Sequence, residues 1–544
     1  MATFLTQVIA AAVVVVLVFG LSRILRIGHR PTDLPPGPPT IPLLGNLHLM
    51  PKHDSHLQFQ KWAQEYGPVY SLILGTKTMV VLSSDRAVKD IMDKKSSISS
   101  DRMHLYIGQE IASGGLRVLM MHYGPTWRMI RRIMHDLLNV NAARAFEPYQ
   151  VLENQQMMSD ILNDPDNYGS HVRRYTNSLM TTTTFGYRVP DPEDSTIKEF
   201  IEVFDQFLML AKTDLAALLD FLPALRMLPS WMVPLKSVAT ANHRREKALF
   251  RYHWDRAKAE VLSHKNKNPN PSFSIGLVRE QEKQGFSDDF AAYITGTLLE
   301  AGTDTTAASR HPLNTLMWFL CAMLVYPDVQ VRAKAELDRV VGADRMPRLE
   351  DEANLQYVRG VVKESLRWMS VTIMGAMPHA LTQEDHYMGF RLPKGAMLVN
   401  NVYTIHRDAT RYPDPSRFDP DRFKDNTDNL YDSAINPDPA QRDQFAFGAG
   451  RRICPGIHVA DRSLFLSISR LLWAFDFKRP IEEGVEVIPD PTKVTQGFLV
   501  APLPFKAVIV PRDAKRAEII GRDWEAAKQE SLDPKTMQWK ERAQ

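Results

Sequence analysis

The sequence predicts a mainly α-helical protein with small β-sheets, preceded by one N-terminal transmembrane helix. Three observations carry that expectation. Residues 4–21 form an uncharged apolar run, helical periodicity dominates from about residue 125 to residue 370, and only short stretches are rich in β-branched residues. Of the 544 residues, 44% are apolar and 24% charged, the composition of an ordinary globular protein with a sizeable core. The 66 basic and 63 acidic residues nearly balance, which gives nucleic-acid binding no support. The 2 cysteines, Cys321 and Cys454, lie far apart, which argues against a disulfide framework and for a reducing compartment.

The run FLTQVIAAAVVVVLVFGL is long enough to cross a bilayer as a helix. Arg23, Arg26 and Arg30 follow it and keep that end cytoplasmic, and no Lys or Arg precedes it, which argues against a cleaved signal peptide. Residues 1–30 therefore read as an uncleaved anchor with a basic flank. Residues 31–45 contain Pro35-Pro36-Gly37-Pro38-Pro39, which cannot be helical and reads as a semi-rigid extended hinge. The body spans residues 46–511, and residues 512–544 form a charged C-terminal tail to which the sequence assigns no role.

Within the body, residues 69–74 and 78–82 flank Gly75-Thr76-Lys77 and predict a hairpin. A helix is expected to begin near Ser287, with Asp288 and Asp289 in its first turn, and to continue through residues 290–320 as a buried central element. Residues 410–445 are rich in Pro, Asp and Asn and read as a long irregular segment. Residues 221–235 (FLPALRMLPSWMVPL) are apolar and broken by proline, which fits either core or a loop dipping into a membrane surface.

The most specific feature is Phe447-Gly448-Ala449-Gly450-Arg451-Arg452-Ile453-Cys454-Pro455-Gly456. Two glycines permit a tight turn before the cysteine, and Gly456 permits close approach of another group. Pro455 suits the first turn of a helix over residues 457–474. Cys454 then sits at a helix N-terminus, with Arg452 adding positive charge, and both stabilise a thiolate. The bland alternative is a buried, inert cysteine.

The pattern Phe447, Gly450, Arg452, Cys454 and Gly456 resembles the haem-binding loop of the cytochrome P450 family. The resemblance implies haem b, with Cys454 as the metal ligand whose electron density favours O–O cleavage. Glu364 and Arg367, three apart on one helical face, resemble the family's buried acid–base pair. Arg422 in Pro420-Asp421-Arg422-Phe423 resembles the arginine that joins it from a later loop, and the order of the elements matches. Ala301-Gly302-Thr303-Asp304-Thr305-Thr306 resembles the family's oxygen-binding groove. There Asp304 and Thr305 would relay protons during oxygen activation, while Ala301 and Gly302 leave room for oxygen and substrate. Taken alone, the same residues also read as a buried polar patch bonded to backbone. Trp127 and Arg131, together with His379 and Arg452, resemble donors to the haem propionates. Arg128, Arg132 and His135 on an adjoining face fit either a solvated surface or a dock for an acidic redox partner.

One departure from the family pattern is His311-Pro312, which is expected to kink or end the central helix. The resemblance extends from residue 35 to about residue 456. It implies one P450-fold domain with pocket walls from residues 101–118, 208–235, 295–302, 371–377 and 497–502. The implied activity is a monooxygenase acting on a small lipophilic substrate with O2, with electrons from a separate NADPH–cytochrome P450 reductase. The proline hinge and the style of residues 405–415 look most like fungal microsomal members of secondary metabolism. That places the chain in the endoplasmic reticulum membrane, single-pass, with the catalytic domain cytosolic. Two other readings stay open: a haem-thiolate isomerase or dehydratase that needs no O2, and a non-enzymatic haem sensor or carrier.

Overall fold

The computed structural model describes residues 4, 7, 14, 15, 19, 22, 26–263, 270–306, 315–497 and 499–540, but not the side chains of residues 212 and 304–306. Most of the apolar run at residues 4–21, and His311-Pro312, lie outside the described residues. Among the described residues no helix is long and apolar enough to cross a membrane.

The expected hairpin is present. Strands β1 (Val69–Leu74) and β2 (Lys77–Leu82) pair antiparallel, with Val69 opposite Leu82 and Leu74 opposite Lys77. Gly75 turns the chain at φ +58°, and a Cβ there would meet the Phe221 carbonyl at 2.9 Å, so no side chain is tolerated. The sheet is completed by β3 (Asp101–Arg102), β4 (His379–Ala380) and β5 (Met397–Asn400), in the order β1-β2-β5-β4-β3. Only the β2–β5 pairing is parallel.

The helical part forms the main core. Its site-bearing elements are α1 (Pro125–Leu138), α2 (Glu147–Asn163), α3 (Tyr168–Phe185), α4 (Ser195–Lys212) and α5 (Pro234–Ser263). They are followed by α6 (Asp288–Thr306), α7 (Thr315–Val325), α8 (Gln356–Trp368) and α9 (Ile457–Ala474). Helix α6 starts where the sequence places it, with the Ser287 hydroxyl accepting from Phe290 N at 3.3 Å. Ala291, Ala292, Tyr293, Ile294 and Thr295 are all buried, so this part of the helix faces protein on every side. Gly296 lets it close on α5: a Cβ there would lie 2.4 Å from the Phe250 ring. In α7, Cys321 is fully buried and burial pushes its thiol up to about 12, the behaviour of an inert core cysteine. Residues 410–445 contain only short helical turns, at Pro420–Phe423 and Leu430–Ile435.

The hinge is pinned as well as extended. Pro36 O accepts from Ser71 N of β1 at 2.7 Å. The Arg30 guanidinium donates to Gly37 O at 2.6 Å, Pro38 O at 2.9 Å and Ser71 O at 2.8 Å. These bonds satisfy carbonyls that proline-rich backbone cannot pair internally.

At the other end, helix α10 (Ala514–Ser531) packs on α2 through Trp524 and Leu152. The charged terminal residues are thereby joined to the body. Arg188 is fully buried; its backbone N–H donates to Gln538 Oε1 at 2.8 Å, and Gln538 Nε2 returns a bond to Arg188 O at 3.0 Å. The Trp539 ring lies 4.8 Å from that of Tyr149. Deleting residues 532–544 is expected to destabilise the fold by about 3 kcal/mol or more through loss of Trp539 packing. A lowered thermal midpoint in circular dichroism, with activity tracking stability, is the outcome that checks it.

Candidate cofactor-binding site around Cys454

Cys454 closes a loop that the backbone braces tightly. Its N–H donates to Phe447 O at 2.8 Å, and the Arg131 guanidinium donates to Ile453 O. Gly448 and Gly450 take φ +80° and +57°, and a Cβ on Gly450 would meet Met92 O at 2.1 Å, so glycine is required there. Gly456 is the residue ahead of α9, and the space its Cβ would occupy has only Cys454 Sγ, at 4.0 Å. Burial raises the thiol pKa, while the Gly456 N–H and the Arg131 guanidinium oppose that rise. The stabilising cation is therefore Arg131; the sequence had pointed to Arg452.

Arg452 faces elsewhere. Its Nε donates to Ser100 O at 2.9 Å and its Nη2 to Met121 O at 2.6 Å, while its guanidinium lies 4.2 Å over the Trp127 ring. Trp127 is buried on α1, four residues and one turn before Arg131. His379 in β4 donates through Nδ1 to Ser99 O at 2.9 Å, and Arg102 stands opposite it in β3. Arg102 donates to Leu119 O at 3.0 Å and to Met377 O. The structure thus gathers Trp127, Arg131, His379 and Arg452 and adds Arg102, which the sequence reading missed.

This cluster has too much buried positive charge for its own acids. Burial, then the nearby Arg102, brings Arg452 down to about 8, and burial brings Arg102 down to about 10. Burial also lowers Arg131, and burial with Arg102 holds His379 well below its usual range. The acidic groups facing them are Asp101 and the Cys454 thiol. Two further carboxylates would restore balance and accept charge-assisted bonds. Haem b brings two propionates and an iron that takes a thiolate, so the residues present fit that group. Replacing Arg102 with leucine is expected to weaken haem retention about tenfold or more. Transfer of haem to an acceptor protein measures it.

A second network holds the loop from behind. Arg367 Nε and Nη2 reach Glu364 at 2.6 and 2.7 Å, and both residues are buried on α8. Arg422 Nε stands 3.4 Å from Glu364 Oε1 and donates through its other nitrogens to Pro413 O and Asp414 O, each at 2.7 Å. Arg422 is thus an ion-pair neighbour of Glu364 more than a hydrogen-bond donor to it. Arg367 Nη1 also donates to His406 O at 2.7 Å and Pro415 O at 3.0 Å, so the acid–base pair staples the irregular segment to α8. Closer to the cysteine, Arg442 bridges Asp93 at 2.8 Å and Gly448 O at 2.7 Å, and Asp93 accepts from Gly450 N at 2.7 Å. Neither Asp93 nor Arg442 stood out in the sequence, because no local pattern marks a pair joined across the fold.

Helix α6 packs against α3 and α5. Its backbone includes Asp304 and Thr305, whose side chains lie outside the described residues. Ala301 is exposed, as suits a wall residue. Gly302 behaves otherwise: a Cβ there would lie 2.3 Å from the Met180 sulfur of α3. The room it leaves is filled by helix packing, which corrects the expectation that Gly302 opens space for oxygen.

Comparison with known proteins agrees with this geometry. A family model described as Cytochrome P450 matches residues 35–509. The cytochrome P450 monooxygenase virE of Hypocrea virens is 49% identical over 96% of this chain and 93% of its own. The cytochrome P450 monooxygenase fogE of Aspergillus ruber is 44% identical over 95% and 94%, respectively. Among solved structures, a zebra fish cytochrome P450 with abiraterone superposes with a TM-score of 0.66 at 22% identity, over 84% of this chain and 100% of that one. At that identity the last likeness concerns the fold alone.

Proposed function

The chain belongs to the cytochrome P450 family as an oxidoreductase of the monooxygenase type, and on that premise we propose its finer activity. It inserts one oxygen atom from O2 into a small lipophilic intermediate of fungal secondary metabolism, using electrons from a separate NADPH–cytochrome P450 reductase. The observation that supports this reading most is the braced Cys454 loop beside a buried cationic cluster short of two carboxylates.

Bound haem supplies the oxygen-activating chemistry, with its thiolate ligand favouring O–O cleavage. The chain's own part is to hold and to orient. Cys454 is the ligand; Arg102, Arg131, Arg452, His379 and Trp127 hold the propionates; Glu364, Arg367 and Arg422 keep the loop in place. Asp304 and Thr305 on α6 are assigned the proton relay. Arg128, Arg132 and His135 are exposed on the outer face of α1 and suit an acidic reductase surface.

The membrane reading rests on the apolar run at residues 4–21 and on exposed apolar side chains. Met227 is 89% and Trp231 79% exposed, and Ile41, Leu43 and Leu44 are exposed nearby in the fold. The β1–β2 turn links the two patches, since Gly75 N donates to Leu44 O and Thr76 N to Phe221 O, at 3.1 and 3.2 Å. We assign the protein to the endoplasmic reticulum membrane, with a single N-terminal span and a cytosolic body.

The deciding experiment is turnover of candidate fungal metabolites under labelled O2 with NADPH and reductase. One labelled atom per product molecule is expected. Conversion that proceeds without NADPH and without label would replace this reading with an isomerase or dehydratase. No conversion and no substrate-linked NADPH consumption would favour a haem sensor or carrier.

A further inference from the structure

A buried ionic cluster stands away from the cysteine. Arg117, in the segment between β3 and α1, is fully buried and donates to Glu246 of α5 and to Glu300 of α6. Its guanidinium also lies 3.7 Å over the Phe207 ring of α4. Tyr293 of α6 donates to Glu246 at 2.9 Å and stands 2.7 Å from His243 Nδ1. His243 in turn hydrogen-bonds the backbone of Ala112. One stretch of loop and short helical turns is thus tied to two helices at two points.

The same stretch is tied to the cofactor cluster on its other side. Leu119 O accepts from Arg102 and Met121 O from Arg452, at 3.0 and 2.6 Å. Ahead of those ties, Tyr106 N donates to Asp220 at 2.7 Å and the Tyr106 ring lies beneath Arg226. Residues 103–121 therefore form a roof between the cofactor cluster and helices α4, α5 and α6, with Arg117 as its central fastening.

We propose that Arg117 is a positioning residue that latches this roof shut through Glu246 and Glu300, and so sets entry of substrate to the cysteine side of α6. Two carboxylates against one guanidinium leave a surplus negative charge in a dry site, so the closed latch also carries a proton. Among the described side chains, the charged groups facing Glu300 are Arg117 from the roof and Glu246 from α5. Tyr293 faces both glutamates, and Lys247 and Asp289 lie beyond His243. Glu300 Oε1 has no hydrogen-bond partner, which leaves a place for the proton. Burial, opposed by Arg117, raises both Glu300 and Glu246, and each raises the need for one proton between them. Because the folded value is raised, the protonated pair's stabilising contribution is complete below the ordinary glutamate range and is lost as pH rises through the folded value. The latch is closed in acid and loosens in mild alkali.

The proposal rests on the haem-thiolate reading only for what lies beneath the roof. Hydrogen exchange of the amides in residues 103–121 tests it in the full-length protein at about pH 6 and about pH 8.5, after correction for intrinsic rates. Wild-type exchange should quicken between the two. Arg117→Gln should exchange about tenfold or more faster at both, Arg117→Lys should recover much of the slow exchange, and Glu300→Gln should stay slow at both. Binding of 4-phenylimidazole to the haem iron, followed by the Soret shift, should quicken in the same order. Unchanged exchange in Arg117→Gln, or a pH step that survives in Glu300→Gln, would overturn the latch. Should Arg117→Gln fail to fold, the uncharged triple variant R117Q/E246Q/E300Q replaces it, and a closed roof there is equally fatal. Failure of the haem reading would abolish the imidazole signal and leave the exchange arm intact.

Discussion

Cys454→Ala is expected to abolish the thiolate-type Soret shift of the reduced, carbon monoxide-treated protein, together with all monooxygenase turnover. The fold should survive. The loop is braced by bonds that do not involve the sulfur: Cys454 N to Phe447 O, Arg131 to Ile453 O, and Arg442 to Asp93 and Gly448 O. Some haem should still enter, because the propionate-facing arginines are untouched. The change removes the ligand and leaves the cradle, so circular dichroism should match wild type while the carbon monoxide spectrum does not. A thiolate-type shift that persisted in the alanine variant would refute the assignment of the metal ligand.

The second large effect is on the fold itself. Glu364→Gln leaves Arg367 buried beside a neutral amide and deprives the Arg422 guanidinium of its nearest anion. Removing one partner of a buried pair costs about 3–5 kcal/mol. Here the loss is transmitted, because Arg367 also holds His406 O and Pro415 O, and Glu364 accepts the backbone N–H of Asp419. The irregular segment that leads to the cysteine loop should loosen, and the purified protein should carry little haem. Burial raises the Glu364 pKa even though Arg367 and Arg422 oppose it. The carboxylate is thus kept charged only by its partners, and the network acts by specifying one arrangement more than by adding stability. Equal haem content and equal denaturation midpoints in wild type and Glu364→Gln would contradict this role.

What could be read from the sequence follows the range of the interactions. The Cys454 loop was legible because its demands are local, above all positive φ at two glycines, although Pro455 lies in the turn before α9 and not in its first turn. The β1–β2 hairpin and the start of α6 were legible for the same reason. Arg102 was not, because its place is set by two-residue strands that pair far apart in the chain and have no periodicity to detect. Arg442 and Asp93 were equally silent, since an isolated arginine or aspartate looks the same on a surface as in a buried brace. Gly302 was misread in the other direction. A glycine in a central helix can make room for a ligand or for a neighbouring helix, and only the position of Met180 decides between them. Residues 31–45 show the limit of composition, because prolines announce extended chain but not what it is fastened to.

That fastening has a practical consequence for anyone shortening the protein for work in solution. The carbonyls of Gly37 and Pro38 and the β1 edge at Ser71 are drawn together by one guanidinium supplied by Arg30, ahead of the first proline. A shortened form that begins at the prolines discards the side chain that joins them to Ser71 O and leaves the bonds of Ser71 and Asn46 to hold them. Starting a few residues earlier, with Arg30 retained, keeps the edge sealed, and a solubility tag is better placed there than at Pro35.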